Sequence, residues 1–312
     1  MGKIAFVFPG QGSQTVGMGK DIYASNEFAR QIFEAADRKL DFSLSQIIFE
    51  GPQETLTKTA NTQPALLTTS IALLELAAKA GITADYTAGH SLGEYSALVA
   101  AGAIEFEEAV FAVRKRGEFM EEAVPSGQGS MAAILGMDRG LLGEVTDAVS
   151  RQGDPVQLAN INCPGQIVIS GTAEGVKKAC EAAKEKGAKR AIPLEVSGPF
   201  HSELMKPAAS RLLKVLESIT IRPAVIPVIS NVTARAISDP EEMKTKLVEQ
   251  LYSPVEWEDS IHTLLGLGVD TFIEIGPGKV LGGLIKKIDR SVTVYSISDA
   301  ESLRKTTEAI RG

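Results

Sequence analysis

Glycine, serine and histidine stand in this chain at spacings that suit acyl chemistry. The pentapeptide Gly89-His90-Ser91-Leu92-Gly93 is a G-x-S-x-G. Such a pattern places a serine on a sharp turn between strand and helix, with its hydroxyl above the sheet. Glycine on both flanks lets the backbone bend and lets neighbours approach closely. The surroundings agree, because residues 84–88 suit a short strand end and residues 92–101 are rich in helix formers. The helix N-terminus then lies beside Ser91, where its free N–H groups and dipole favour developing negative charge. A turn serine that merely caps a helix shows the same five residues, so the partner groups must decide.

A serine hydroxyl needs a base within about 3 Å to attack a carbonyl at neutral pH. The chain has 3 histidines. His90 adjoins Ser91, but neighbouring side chains diverge at an elbow, so it reads as a packing or loop-pinning residue. His262 falls in an amphipathic helix, on its surface or in its packing. His201 follows Ser197-Gly198-Pro199-Phe200, a conformationally restricted loop, and opens a helix. By elimination it is the base. The acid that would orient it in an ordinary triad precedes the histidine in the chain. Asp138, Asp147 and Asp154 all fall in what reads as an insertion, so a triad is not expected. A backbone carbonyl can accept the imidazole N–H instead, with the imidazolium then less favoured for want of a full negative charge.

Two further stretches invite a chemical reading. Gly10-Gln11-Gly12-Ser13-Gln14 follows a first strand, but Thr15 occupies the third glycine position of a dinucleotide fingerprint. A P-loop fails as well, since Gly19-Lys20 is followed by Asp21. What is left is either a loop whose N–H groups face an oxyanion or a plain surface turn. Arg114-Lys115-Arg116 lies on a helix and reads by itself as a solvated face.

The elements that must position these groups read as α/β. Strands are expected at 3–8, 86–88, 225–230 and 271–275, and helices at 27–40, 62–79, 92–101, 105–123, 203–218, 240–251, 257–267 and 279–288. Between them, residues 130–136, 139–150, 156–161, 166–170, 173–186 and 190–196 read as β-α-β-β-α-β, the ferredoxin-like order. The expected architecture is a hydrolase-like layered core with a mostly parallel sheet, built from 1–126 and 198–312, with a ferredoxin-like small domain inserted at 127–197. Ser91 then sits at the carboxyl end of a strand, where such folds keep their sites.

Composition sets the outer bounds. The chain has 312 residues, 44% hydrophobic and 23% charged, enough for a sizeable core. A net charge of −7 without a basic run argues against nucleic-acid binding. An acidic partner would need a local basic patch, and Lys279, Lys286, Lys287 and Arg290, or the run 184–190, supply candidates. Two cysteines, Cys163 and Cys180, make neither a disulfide framework nor a metal cluster, so a reduced, cytoplasmic protein without metal is expected. The N-terminal apolar run is too short for a signal segment, and Glu75 and Lys79 interrupt the most apolar helix, so no membrane association is expected.

Five motifs occur in family order: Phe8-Pro9-Gly10-Gln11-Gly12-Ser13-Gln14, Gly89-His90-Ser91-Leu92-Gly93-Glu94-Tyr95, Arg116-Gly117, Pro199-Phe200-His201 and Glu274-Ile275-Gly276-Pro277-Gly278. Together they resemble the malonyl-CoA:acyl carrier protein transacylases of bacterial fatty-acid synthesis, over nearly the whole chain. The same pattern marks the acyltransferase domains of polyketide synthases. The resemblance implies a ping-pong exchange in which Ser91 takes malonyl from malonyl-CoA and passes it to the phosphopantetheine thiol of acyl carrier protein. It implies His201 as base, the backbone N–H groups of Gln11 and Leu92 as oxyanion hole, and the Gln250 carbonyl as orienter of His201. Arg116 acquires the substrate carboxylate, which a guanidinium matches in shape and charge. Phe200 resembles the malonyl-selecting pattern, and Gln63, Asn160 and Asn162 match positions near the cleft. A monomer without bound cofactor is expected, the CoA thioester being a substrate. Three other readings compete: an acyltransferase serving a polyketide synthase in trans, a serine thioesterase or esterase, and a non-catalytic carrier-protein binding module. The hydrolase shares the elbow but does not call for Arg116, and a binding module needs neither Ser91 nor His201.

Overall fold

Apolar runs bounded by glycine and proline become the strands of a computed structural model. It describes residues 2–125 and 127–311; Ser126 of the expected linker and the chain ends Met1 and Gly312 lie outside them. The chain begins with β1 (Lys3–Phe8) and β2 (Tyr86–Gly89). It continues with β3 (Gly129–Leu135), β4 (Val156–Cys163), β5 (Gln166–Thr172) and β6 (Arg190–Pro193). It ends with β7 (Val228–Ile229), β8 (Ala236–Ile237), β9 (Val269–Ile275) and β10 (Thr293–Ile297).

The larger sheet runs β10-β9-β1-β2-β7-β8 and is parallel except for β8. Alternation along β1 explains its two covered faces. Phe6 and Phe8 point into one apolar cluster, with Leu66, Tyr95 and Val113. Ala5 and Val7 point into the other, with Trp257, Ile261 and Phe272. The helices Thr59–Lys79 and Phe106–Ala123 therefore lie on one face, and Trp257–Gly266 and Val280–Ile288 on the opposite one. Each fully buried Leu or Phe in these layers stabilises the fold by about 1.5–3 kcal/mol. In the β1–β2 register Phe8 pairs with Gly89, so both strands end level and their outgoing loops leave side by side.

The smaller sheet runs β4-β5-β3-β6, antiparallel throughout. Helices Arg139–Ser150 and Ala173–Glu185 cover it through Leu142, Val145, Val176 and Ala179, completing the expected ferredoxin-like βαββαβ unit. Both helix starts are set by side-chain caps. Asp138 Oδ1 accepts from the N–H groups of Gly140 and Leu141 at 2.8 and 3.2 Å, and Thr172 Oγ1 from that of Gly175 at 3.0 Å.

Several expected elements differ. The strand expected over 225–230 shrinks to Val228–Ile229, because Pro227 has no N–H to give the ladder and Val225 is 83% exposed. The strand expected to reach residue 196 ends at Pro193. Short helices at Lys20–Ser25, Leu44–Glu50 and Gln53–Thr57, the strand β10 and the helix Ala300–Arg311 were not expected from the pattern. Arg114 is not on a solvated face. Its guanidinium donates to Ala60 O and Asn61 Oδ1 at 2.9 and 2.5 Å, tying two helices together. Among the described residues no helix is long and apolar enough to cross a membrane.

Candidate active site

Ser91 stands two residues beyond the end of β2, after His90, and adopts a left-handed backbone with φ 52°. That conformation is strained for a residue with a Cβ, by about 1–3 kcal/mol, and persists only where the surroundings enforce it. The enforcement is close packing. A Cβ on Gly89 would lie 1.9 Å from the carbonyl of Gly93, and one on Gly93 would lie 2.1 Å from Phe8 O. Hydrogen bonds complete it. The Ser91 N–H donates to Asn231 Oδ1 at 2.7 Å, and Asn231 Nδ2 donates to Gly89 O at 2.7 Å. Asn231 therefore clasps the elbow from behind.

His201 also has a left-handed backbone, φ 58°. Its Nε2 lies 2.8 Å from Ser91 Oγ and its Nδ1 2.8 Å from the Gln250 carbonyl oxygen. A carbonyl only accepts, so Nδ1 carries the proton and Nε2 presents its lone pair to the serine hydroxyl. Burial first, and the positive charge of Arg116 second, push the imidazole pKa down to about 3. The resting imidazole is neutral, as a base must be. Gln157 braces the loop, donating to His201 O at 3.3 Å and accepting from the Glu203 N–H at 3.0 Å.

Arg116 is the third group of this cluster. It is only 1% exposed. Its Nη1 donates to Gln63 Oε1 at 2.8 Å and its Nη2 to Gln250 Oε1 at 2.9 Å, both neutral amide oxygens. The same Nη2 lies 3.3 Å from Ser91 Oγ, and Nε has no partner among the described residues. Tyr95 lies under the guanidinium, 5.7 Å from ring centre to Cζ. Burial lowers the pKa of Arg116, yet arginine stays protonated in proteins. No carboxylate of the protein touches this charge among the described residues.

These groups open into a cleft of about 300 Å³. Met120, Met131, Leu194, Val196 and Phe200 form its apolar wall, and Gln11, Leu92 and Asn160 line it too. The backbone N–H groups of Gln11 and Leu92 have no acceptor among the described residues, which leaves them free for an oxyanion. Close packing brings their two loops together, since a Cβ on Gly10 would lie 2.4 Å from His90 O. Asn162 stands behind the wall instead. Its Oδ1 lies 2.8 Å from His90 Nε2, and the His90 ring rests against Trp257 at 5.6 Å between centroids. Of the three histidines, His90 is thus the pinning residue, His262 is exposed, and His201 meets the serine. Asn231 and the buried Glu94 escaped the sequence reading of the site. Glu94 carried a signal, as a carboxylate inside an apolar helix start; Asn231, after a two-residue strand, carried none.

Residues 5–306 match the acyl transferase domain family. The chain belongs to that family. Among its relatives, the malonyl CoA-acyl carrier protein transacylase of Bacillus subtilis (strain 168) is 61% identical over 311 residues, covering 100% of this chain and 98% of the relative. The malonyl CoA-acyl carrier protein transacylase of Coxiella burnetii superposes with a TM-score of 0.96 at 40% identity, covering 98% of this chain and 97% of the other. A malonyl-transacylase solved in complex with its type II PKS acyl-carrier protein superposes equally well, TM-score 0.96, at 43% identity over 98% of this chain and 99% of the other.

Proposed function

We propose that this acyl transferase moves malonyl from malonyl-CoA to acyl carrier protein through a malonyl ester on Ser91. The observation that carries the reading is a buried guanidinium with no carboxylate partner among the described residues, 3.3 Å from the nucleophile. An unpaired buried charge is costly, and a substrate carboxylate removes the cost. Malonyl has one methylene between its acyl carbon and its carboxylate, so its clamp must adjoin the nucleophile, as Arg116 does. A plain acyl group would leave Arg116 uncompensated.

In the first half, Ser91 Oγ attacks the thioester carbon while His201 Nε2 takes the hydroxyl proton. The N–H groups of Gln11 and Leu92 receive the oxyanion. Collapse breaks the C–S bond, and the CoA sulfur takes the proton from His201. In the second half, the phosphopantetheine thiol gives its proton to His201 and attacks the ester carbon. Ser91 leaves and recovers the proton. Gln250 orients the base through its carbonyl, Gln63 supports Arg116, Phe200 and Asn160 border the acyl group, and Asn162 fixes His90. The apolar wall keeps water from the ester. A division into a core of 1–126 and 198–312 and an inserted unit of 127–197 is part of the proposal, supported by the confinement of the smaller sheet to 129–193. Service to a polyketide synthase in trans is the second reading, favoured by the relative bound to a type II PKS carrier.

Intact-protein mass spectrometry after brief exposure to malonyl-CoA tests the proposal. The wild type should carry a malonyl adduct that carrier protein discharges. Ser91→Ala should carry none, and Arg116→Ala much less. Free malonate accumulating without carrier protein would instead mark a hydrolase.

A further inference from the structure

Glu94 is a buried carboxyl that the steps above leave unused. It sits on the first turn after the elbow, in the helix Gly93–Ala100, and is 2% exposed. Burial pushes its pKa up to about 7 against the opposing pull of the Asn231 and Gln250 donors and of Arg116. Its Oε2 accepts from Gln250 Nε2 at 2.6 Å and from the Asn231 N–H at 3.3 Å.

The side-chain amide of Gln250 lies between Glu94 and Arg116. Its Nε2 also donates to Ser91 O at 3.0 Å and Asn231 Oδ1 at 3.2 Å, while its Oε1 accepts from Arg116 Nη2 at 2.9 Å. The last torsion of a glutamine is soft and roughly two-fold, so the amide has two orientations. One places NH2 against oxygens and oxygen against the guanidinium. The other would set NH2 against a cation and oxygen against a carboxyl. The contact to Glu94 is the shortest of those that choose between them.

We propose that Glu94 is a positioning residue: through the Gln250 amide it holds Arg116 in the pose that receives the substrate carboxylate, and so sets the preference for malonyl over uncharged acyl thioesters. This rests on the malonyl reading above. Glu94 touches neither substrate nor reacting atoms, and its influence passes along Gln250.

The test is the ratio of kcat/KM for malonyl-CoA to that for acetyl-CoA, followed as acyl-Ser91 formation. Glu94→Ala should lower the ratio about tenfold, and by less than about twofold further in an Arg116→Ala background, because coupled residues are non-additive. Glu94→Gln keeps an acceptor oxygen and should hold the ratio within about threefold. Gln250→Met keeps the backbone carbonyl for His201 but loses the amide, and should lower the ratio as Glu94→Ala does. An unchanged ratio in Glu94→Ala or Gln250→Met overturns the proposal. So does a fall in Glu94→Gln as deep as in Glu94→Ala, which would mean charge rather than position. If Glu94→Ala does not fold, Glu94→Gln and Gln250→Met decide alone. A wild type without malonyl preference would bring down the malonyl reading and this proposal together. A wild-type preference lost in Arg116→Ala but kept in Glu94→Ala and Gln250→Met would bring down this one only.

Discussion

His201 is neutral in the resting protein because burial and then Arg116 oppose its charged form. Both causes leave a mark on the pH dependence. A base works while unprotonated, so its activity is lost as pH falls through its own pKa. The acid limb of kcat/KM for malonyl-CoA, which reports the free enzyme, should therefore lie well below pH 6.5, the ordinary histidine value. In Arg116→Ala the lowering charge is gone, and the limb should move up. A wild-type limb centred near the ordinary value would refute the neutral, buried picture. Stability follows with a definite sign. The unfolded chain protonates this imidazole below about pH 6.5, and the folded chain only near pH 3. Across that window the unfolded state binds more protons, so His201 makes stability fall as pH drops through it. Chemical unfolding at pH 7 and pH 5 should show the difference, reduced in His201→Gln.

The element that decides the site is the pair of strand ends, β1 and β2, whose level finish sets two loops side by side. Close approach there is possible only for glycine. Gly89→Ala would drive its Cβ to 1.9 Å from the Gly93 carbonyl, and should cost about 2–4 kcal/mol in denaturant unfolding together with most of the adduct formation. An unchanged midpoint would mean the helix start retreats freely. This tight geometry is local, and for that reason the elbow could be read from five residues. The ferredoxin-like order was legible too, since Asp138 and Thr172 cap its helices within two or three residues. Other features lie beyond local pattern. Ser91 and His201 are 110 residues apart in sequence, and what pointed to His201 was elimination among three histidines together with the Pro199-Phe200-His201 motif of the family resemblance, not any local pattern linking the two. Asn231 meets the elbow across 140 residues from a strand that Pro227 cuts to two, so no periodicity announces it. Arg116 shows how composition misleads. Three basic residues in a row read as surface, yet helix geometry turns Arg116 inward while Lys115 stays outside, paired with Glu118.

At the scale of the molecule, both sheets contribute to a single basic rim. Lys287, at the end of the helix Val280–Ile288, donates to Gln166 Oε1 at 3.0 Å. Gln166 opens β5 and pairs with Leu135, and Leu135 pairs with Arg190 at the start of β6. The two basic runs that the sequence keeps apart thus meet along one edge, where Lys189, Arg190, Lys286, Lys287 and Arg290 are exposed. The edge adjoins the site, because Cys163 pairs with Gln166 and the preceding Asn162 touches His90. With a net charge of −7, the protein as a whole repels an acidic carrier, so approach must be steered by a local patch of opposite sign. Lys287→Glu combined with Arg190→Glu should raise KM for the carrier about tenfold at low salt, less at high salt where charges are screened. Rapid-quench measurement separates the halves: discharge of malonyl-Ser91 by the carrier should slow, while loading from malonyl-CoA should not. Equal slowing of both halves would reassign the rim to the phosphates of CoA. No slowing of either would place carrier docking on another face.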